Sequence, residues 1–248
     1  MFKVALVTMI DLHSHILPGI DDGARDTEMS LAMAQQAVDA GISYMMCTPH
    51  MHWGTFDNDG TIIEPVFNQL RRDISAAGIP ITLGWAAEVR LNEMVPVWYK
   101  TQKIPFLGKW KGKNVLLLEL PHSHIPAGAD LLIKWLIANG VQPLIPHPER
   151  NRDVWERPEK IRWLKNLGCM FQVTAGALTG RFGEVVQDIS LGMLDDDLID
   201  LVASDTHDIK RRPNDMRDAF EIISQQSNEE KARKLFVDTP GKIVGISA

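Results

Sequence analysis

Met9-Ile10-Asp11-Leu12-His13-Ser14-His15 is a short apolar run that closes on two histidines spaced one residue apart. Successive side chains of a strand point to opposite faces, so residues 13 and 15 of such a strand share one face. The pattern then repeats along the chain. A predicted strand Met9–Leu12 leads into His13 and His15, and Ser43–Thr48 leads into His50. Ile81–Glu88 ends on Glu88, Val115–Glu119 on Glu119, Pro143–Pro146 runs into His147, and Leu198–Ser204 into Asp205 and His207. Met170–Thr174 is the exception, with no metal-capable residue behind it. Amphipathic stretches lie between these runs at Glu28–Ala40, Ile63–Ala77, Gly128–Asn139, Pro158–Leu167, Glu184–Leu194 and Asn214–Gln225, with a last near Glu229–Leu235. The first carries Leu31, Ala34 and Val38 on one face and stops at Gly41, as a helix does at a C-terminal glycine. Strand and helix alternating about seven times spell a parallel α/β protein. In a closed barrel of such strands the C-terminal ends converge on one face.

The chain's 248 residues suit a single barrel domain, residues 1–248, and no linker or low-complexity tract divides it. With 26 basic against 32 acidic residues and a formal charge of −6, it lacks the basic excess of a nucleic-acid binder. Two cysteines, Cys47 and Cys169, are too few to staple a secreted domain, and Cys47 is expected in the barrel wall. No window reaches the ~20 apolar residues of a membrane span. The expected compartment is the cytoplasm. Met1–Thr8, ahead of Met9, is either an extension or the product of a misplaced start codon.

Eight residues at strand ends, His13, His15, His50, Glu88, Glu119, His147, Asp205 and His207, are imidazoles or carboxylates that convergence would bring into mutual reach. The Asp21-Asp22-Gly23 loop adds a further carboxylate. A set with no thiolate suits zinc, iron or manganese rather than a structural cysteine site, and clustered ions of this kind serve phosphoester hydrolysis. Arg150, three residues after His147, and Arg212, five after His207, fall in loops at the same face. A planar guanidinium there can grip phosphate oxygens. His52 is expected in a loop beside Trp53 and Gly54, and His122 and His124 in a short loop after the fourth strand.

The segments MIDLHSHILPGIDDGA, TPHM, AAEVRL, LLLEL, HPERN and ASDTHD, in this order, resemble the polymerase and histidinol phosphatase (PHP) superfamily. Within it the chain looks most like the bacterial manganese-dependent protein-tyrosine phosphatases of capsular and exopolysaccharide loci. The resemblance implies a distorted (β/α)7 barrel of the PHP type holding two to three divalent ions, with manganese expected and iron or zinc as alternatives. It implies a first site of His13, His15, Glu88 and Asp205, a second of Glu88, Glu119 and His147, and a third of Asp22, His50 and His207. It gives Arg150 and Arg212 the role of holding phosphate, and it implies as partner the phosphotyrosyl tail of a bacterial tyrosine kinase. Three rival readings stand beside it: a PHP phosphatase of a small metabolite such as histidinol phosphate or a sugar phosphate, a non-catalytic metal-binding kinase partner, and an amidohydrolase. The last commonly needs a strand-end lysine, for which Lys113 and Lys134 are poorly placed. Neither Cys47 nor Cys169 has an arginine six residues later, so the phosphate loop of cysteine-based tyrosine phosphatases is missing.

Overall fold

Residues 8–246 are described in the computed structural model. Of the segment read as an extension, Met1–Val7 lies outside them and Thr8 is exposed. The strands are β1 (Met9–Ser14), β2 (Ile42–Cys47), β3 (His50–His52), β4 (Phe56–Asp57), β5 (Thr82–Trp85), β6 (Glu88–Arg90), β7 (Gly108–Trp110), β8 (Lys113–Glu119), β9 (Val141–Pro146), β10 (Met170–Thr174) and β11 (Leu201–Ala203).

Seven parallel staves emerge once two interruptions are recognised. β2 pairs with β5, and just beyond a two-residue gap in each chain segment β3 pairs with β6, both in parallel. The gaps are spanned by Ala86 N donating to Cys47 O (2.9 Å) and Glu88 N donating to Pro49 O (3.1 Å). β2 with β3 is therefore one stave, and β5 with β6 the next. The order continues through β8, β9, β10 and β11, all parallel. β11 returns to β1 through a bridge between Ser14 and Thr206, with Asp205 N donating to His13 O at 2.8 Å. The ring closes. The continuous strand expected over Ile81–Glu88 is thus corrected: Ala86 and Ala87 break it. His52, expected in a loop, lies instead on β3, because the chain doubles back into an antiparallel pair with β4 at His52↔Phe56.

The staves present an apolar lower lumen and a polar upper one. Ile10, Leu12, Met46, Leu117, Leu144 and Met170 belong to one buried cluster drawn from different staves, each such side chain contributing about 1.5–3 kcal/mol. The outer faces pack under the helices in a second, larger cluster that includes Cys47, as expected for a wall residue. Helix Thr27–Asp39 buries Ser30, Met33, Ala34 and Ala37, so its inward face is rotated from the expected Leu31–Val38 stripe. Gly41 takes φ 93° just past it, a left-handed stop that a side chain resists.

β1 carries the local irregularity that builds the site. Between Asp11 and Ser14 its register slips against β2, three steps opposing the two from Met45 to Cys47. This bulge re-aims the strand: Leu12 still packs in the lumen, while its neighbour His13 also turns inward.

Candidate metal centre

His13 and His15 show what the centre is built to hold. His13 Nδ1 donates to Gln172 Oε1 at 2.7 Å, and His15 Nδ1 donates to Asp21 Oδ2 at 2.8 Å. With each Nδ1 protonated, each Nε2 presents a lone pair. Those two nitrogens face each other at 3.1 Å, where two lone pairs repel. Around them, His13 Nε2 lies 3.4 Å from Glu88 Oε2 and 3.3 Å from Asp205 Oδ1. His15 Nε2 lies 3.4 Å from each of the same two oxygens. Donors about 2.1 Å from a common tetrahedral centre stand ~3.4 Å from one another. Four electron-rich atoms at this spacing, in a site with His13 and His15 wholly buried, suit a divalent cation and little else.

A second set repeats the spacing. Asp22 Oδ1 lies 3.4 Å from His50 Nε2 and 3.4 Å from His207 Nε2, and His15 closes the same group. His207 Nδ1 donates to the carbonyl of Asp205 (3.0 Å), which leaves its Nε2 free of any partner. Glu88 reaches both ways, with Oε1 2.8 Å from His147 Nε2 and Oε2 2.9 Å from His50 Nδ1. Glu119 completes one group with His50 and Glu88 and another with His122 and His147. The structure therefore brings together all nine residues picked out from the sequence as ligand candidates. The expected second group divides: Glu119 and His147 gather with His122, while Glu88 and Glu119 gather with His50; the expected third gains His15. Ser123 Oγ lies 2.9 Å from His124 Nδ1, and His124 stays outside these groups.

Electrostatics point the same way. Burial and the neighbouring charge of Glu88 push Glu119 up to about 7, as happens when two carboxylates share a dry site without a cation between them. Burial disfavours charged imidazoles at His13, His15 and His50, yet the surrounding carboxylates raise all three, His50 to about 10; the site draws positive charge, which a bound cation would supply in place of these protons. Burial, reinforced by the positive Arg150, pushes His147 down to about 3, keeping its imidazole neutral as a ligand must be. Buried oxygens and nitrogens without hydrogen-bond partners, Glu88 Oε2, Glu119 Oε2 and His50 Nδ1 among them, complete a donor set that fits divalent ions.

Both predicted arginines reach this centre, and both do so through Asp205. Arg150 NH1 and Arg212 NH2 lie 2.5 Å and 2.6 Å from Asp205 Oδ2. Burial alone would raise the Asp205 carboxyl, but Arg212, His13 and Arg150 hold it well below the usual carboxylate range. Arg150 is fixed further by NH2 donating to His122 Nε2 (3.0 Å) and by the Phe182 ring 4.8 Å from its guanidinium carbon. Arg212 keeps its Nε without a partner.

Backbone strain marks two of the positions. His147 and Asp205 adopt φ of 40° and 53°, a left-handed conformation that costs non-glycine residues energy and recurs at functional sites. The strain turns each side chain off its strand's end into the centre. Gly23 is required for a different reason: a Cβ there would meet His15 O at 2.0 Å. The loop Asp21-Asp22-Gly23 thus lies directly against His15.

Sequence reading missed the residues that orient the ligands. Asp21 accepts from His15, from Gly23 N (2.9 Å) and from His50 N (3.2 Å). Gln172 sits on the one strand read as an exception. Arg90, facing Glu119 in the register of β6 with β8, places NH1 2.5 Å from Glu119 Oε1. Glu149 accepts from Thr174 N (2.9 Å) beneath the turn that carries His147 and Arg150. Partners of this kind fix ring orientation and tautomer in metal sites.

The capsular polysaccharide synthesis family CpsB/CapC matches residues 9–245. The tyrosine-protein phosphatase YwqE of Bacillus subtilis (strain 168) is 34% identical over 222 residues, covering 90% of this chain and 86% of that protein. The tyrosine-protein phosphatase CpsB of Streptococcus pneumoniae is 27% identical over 242 residues, covering 95% of this chain and 98% of its own. A solved structure from work on YwqE and CpsB, described as unique metal-dependent tyrosine phosphatases, superimposes with a TM-score of 0.89 at 31% identity, over 97% of this chain and 96% of that one. With a match spanning the whole barrel, from Met9 at the head of β1 to Gly245, the chain belongs to the CpsB/CapC family of capsular polysaccharide synthesis.

Proposed function

We propose that the chain is a metal-dependent protein-tyrosine phosphatase acting on the phosphotyrosyl tail of a bacterial tyrosine kinase that controls capsular or exopolysaccharide synthesis. The observation that carries this reading is the pair of guanidinium groups on Asp205, directly beside lone-pair nitrogens and carboxylates spaced for cations. Cations bind the donors, and arginines bind what the cations bring in: a phosphoryl group. The relatives' activity as tyrosine phosphatases supports the substrate class.

In this reading His13, His15, Glu88 and Asp205 hold a first ion, Glu88, Glu119 and His147 a second, and Asp22, His50 and His207 a third. Two to three manganese ions are proposed. Such ions supply Lewis-acid polarisation of the phosphoryl group and lower the pKa of water. The protein's own share is positioning. Arg150, braced by Asp205, His122 and Phe182, and Arg212, with its Nε free, take the phosphoryl oxygens and offset charge that builds on them in the transition state. Asp21 and Gln172 hold the imidazoles of His15 and His13 in their ligating tautomers. The departing tyrosyl oxygen belongs to a phenol of pKa about 10 and leaves with less need of protonation than an alkoxide. Neither cysteine is available as a nucleophile, since both are buried. Two unpaired thiols also accord with the proposed cytoplasmic location.

Steady-state kinetics of the manganese-loaded protein tests the substrate class. A phosphotyrosyl peptide should exceed histidinol phosphate and sugar phosphates in kcat/KM. Preference for a metabolite, or no turnover of any of them, would overturn the proposal.

A further inference from the structure

Lys210-Arg211 stands next to the phosphate-gripping Arg212 in the chain that follows β11. Both line a cavity of about 350 Å³ whose inner wall is Asp22 and His207. Arg25 and Met29 line it as well. The cavity continues into a second of about 330 Å³ that shares Arg25, Met29, Asp208 and Lys210 with it and extends to Ala32 and Ile209. Together they make a groove that starts at the metal centre and runs out between the first helix and the loop after β11.

The charge of this groove is graded. Arg25, Lys210 and Arg211 are exposed and form no ion pair among the described residues. The one carboxylate between them, Asp208, has its Oδ1 committed to the backbone N–H groups of Lys210 and Arg211, at 2.6 Å each. Three uncommitted cations at the mouth of a phosphatase centre are notable in a chain of net charge −6. Further out the sign reverses, with Asp26 and Glu28 on the rim. A larger cleft, about 630 Å³ near Leu91 and Trp135, is lined by none of the nine ligand candidates.

We infer that this groove seats the polypeptide flanking the phosphotyrosine, and that Arg25, Lys210 and Arg211 form a subsite for an anionic side chain within a residue or two of it. The inference rests on the phosphotyrosine-phosphatase reading. The anion is a carboxylate of Asp or Glu or the phosphate of a second phosphorylated residue. Such a cationic rim acts through encounter as much as through contact, so its effect falls with ionic strength.

The test compares phosphotyrosyl peptides of equal length, differing only in the two residues on either side: Glu, Gln or phosphoserine. They are run beside a small aryl phosphate that cannot reach the groove. In the parent protein the Glu and phosphoserine peptides should exceed the Gln peptide in kcat/KM by about five-fold, summed from modest surface-charge contacts, and mainly through KM. A larger advantage for phosphoserine than for Glu identifies the preferred anion as phosphate, and the reverse identifies it as carboxylate. Salt should shrink the gap. The triple variant Arg25→Gln, Lys210→Gln, Arg211→Gln should lose the gap, falling about five-fold more on the Glu peptide than on the aryl phosphate, whose turnover also reports that the protein is folded. Equal kcat/KM for Glu and Gln peptides in the parent, or an undiminished gap in the variant, overturns the subsite and leaves the phosphatase reading standing. Failure to turn over any phosphotyrosyl peptide or the aryl phosphate overturns both.

Discussion

Asp21→Asn is a near-isosteric change expected to damage the metal centre without touching a proposed ligand. The carboxylate makes three bonds: Oδ2 accepts from His15 Nδ1 (2.8 Å) and from His50 N (3.2 Å), and Oδ1 accepts from Gly23 N (2.9 Å). An asparagine can keep the Gly23 contact with its carbonyl oxygen. It then presents an amide N–H to His15 Nδ1, which must become an acceptor and move its proton to Nε2. That nitrogen stands 3.4 Å from both Glu88 Oε2 and Asp205 Oδ1, and once protonated it cannot ligate. The amide would also oppose the N–H of His50. Loss of an orienting partner of this type lowers metal affinity by ~10–100-fold, or about 1.4–2.7 kcal/mol. Competition against a chelator-buffered manganese series, read by elemental analysis of the desalted protein, measures it directly. Asp22→Asn provides the contrast, because Asp22 is half exposed and serves one group only. An Asp21→Asn protein that is folded and binds manganese with parent affinity would refute the orienting role.

Arg150→Ala and Arg212→Ala should keep their metal content yet lose about 2–4 kcal/mol of transition-state stabilisation, or ~30- to 1,000-fold in kcat/KM; Arg→Lys should recover part of it, and a variant with parental efficiency would remove that arginine from the reaction. Gly23→Ala forces a Cβ to within 2.0 Å of His15 O, so the Asp21–Gly23 loop must shift. Overpacking of about 1–3 kcal/mol should appear as a lower Tm together with a reduced metal count, and parental values of both would show that the loop yields freely. Burial pushes Cys169 up to about 12 and raises Cys47 as well, so both stay protonated thiols at neutral pH. Iodoacetamide at neutral pH should leave the rate on phosphotyrosyl peptide intact, and stoichiometric inactivation would show that the reaction depends on a thiol.

Much of this architecture is readable in the chain because short apolar runs, buried on both faces, mark the strands. The residue at or just after each run's end is chosen for chemistry, so the runs ending at Glu119 and His147 announce both a stave and a ligand. What stays hidden has local or long-range causes. The bulge in β1 lets both Leu12 and His13 face inward, which strict alternation forbids. The break at Ala86-Ala87 looks like continuous strand because alanine fits either state, and the run Ser43–Thr48 gives no sign that pairing resumes at His50. β7 and the short helix Val95–Lys100 carry too few residues to show a period. Asp21 and Asp22 are chemically identical neighbours, and only the fold decides which one faces His15 and which His50 and His207. Gln172 acts on His13 across 159 positions of sequence, a contact that no local pattern encodes.

Metal removal and restoration on the parent protein tests the central claim most directly. The protein is stripped with a chelator, its metal content verified by elemental analysis, and turnover of a phosphotyrosyl peptide is followed as manganese is added back. The stripped protein should be folded and inactive, and activity should return in step with about two to three ions bound per chain. Undiminished hydrolysis by a protein shown to be metal-free would contradict the account.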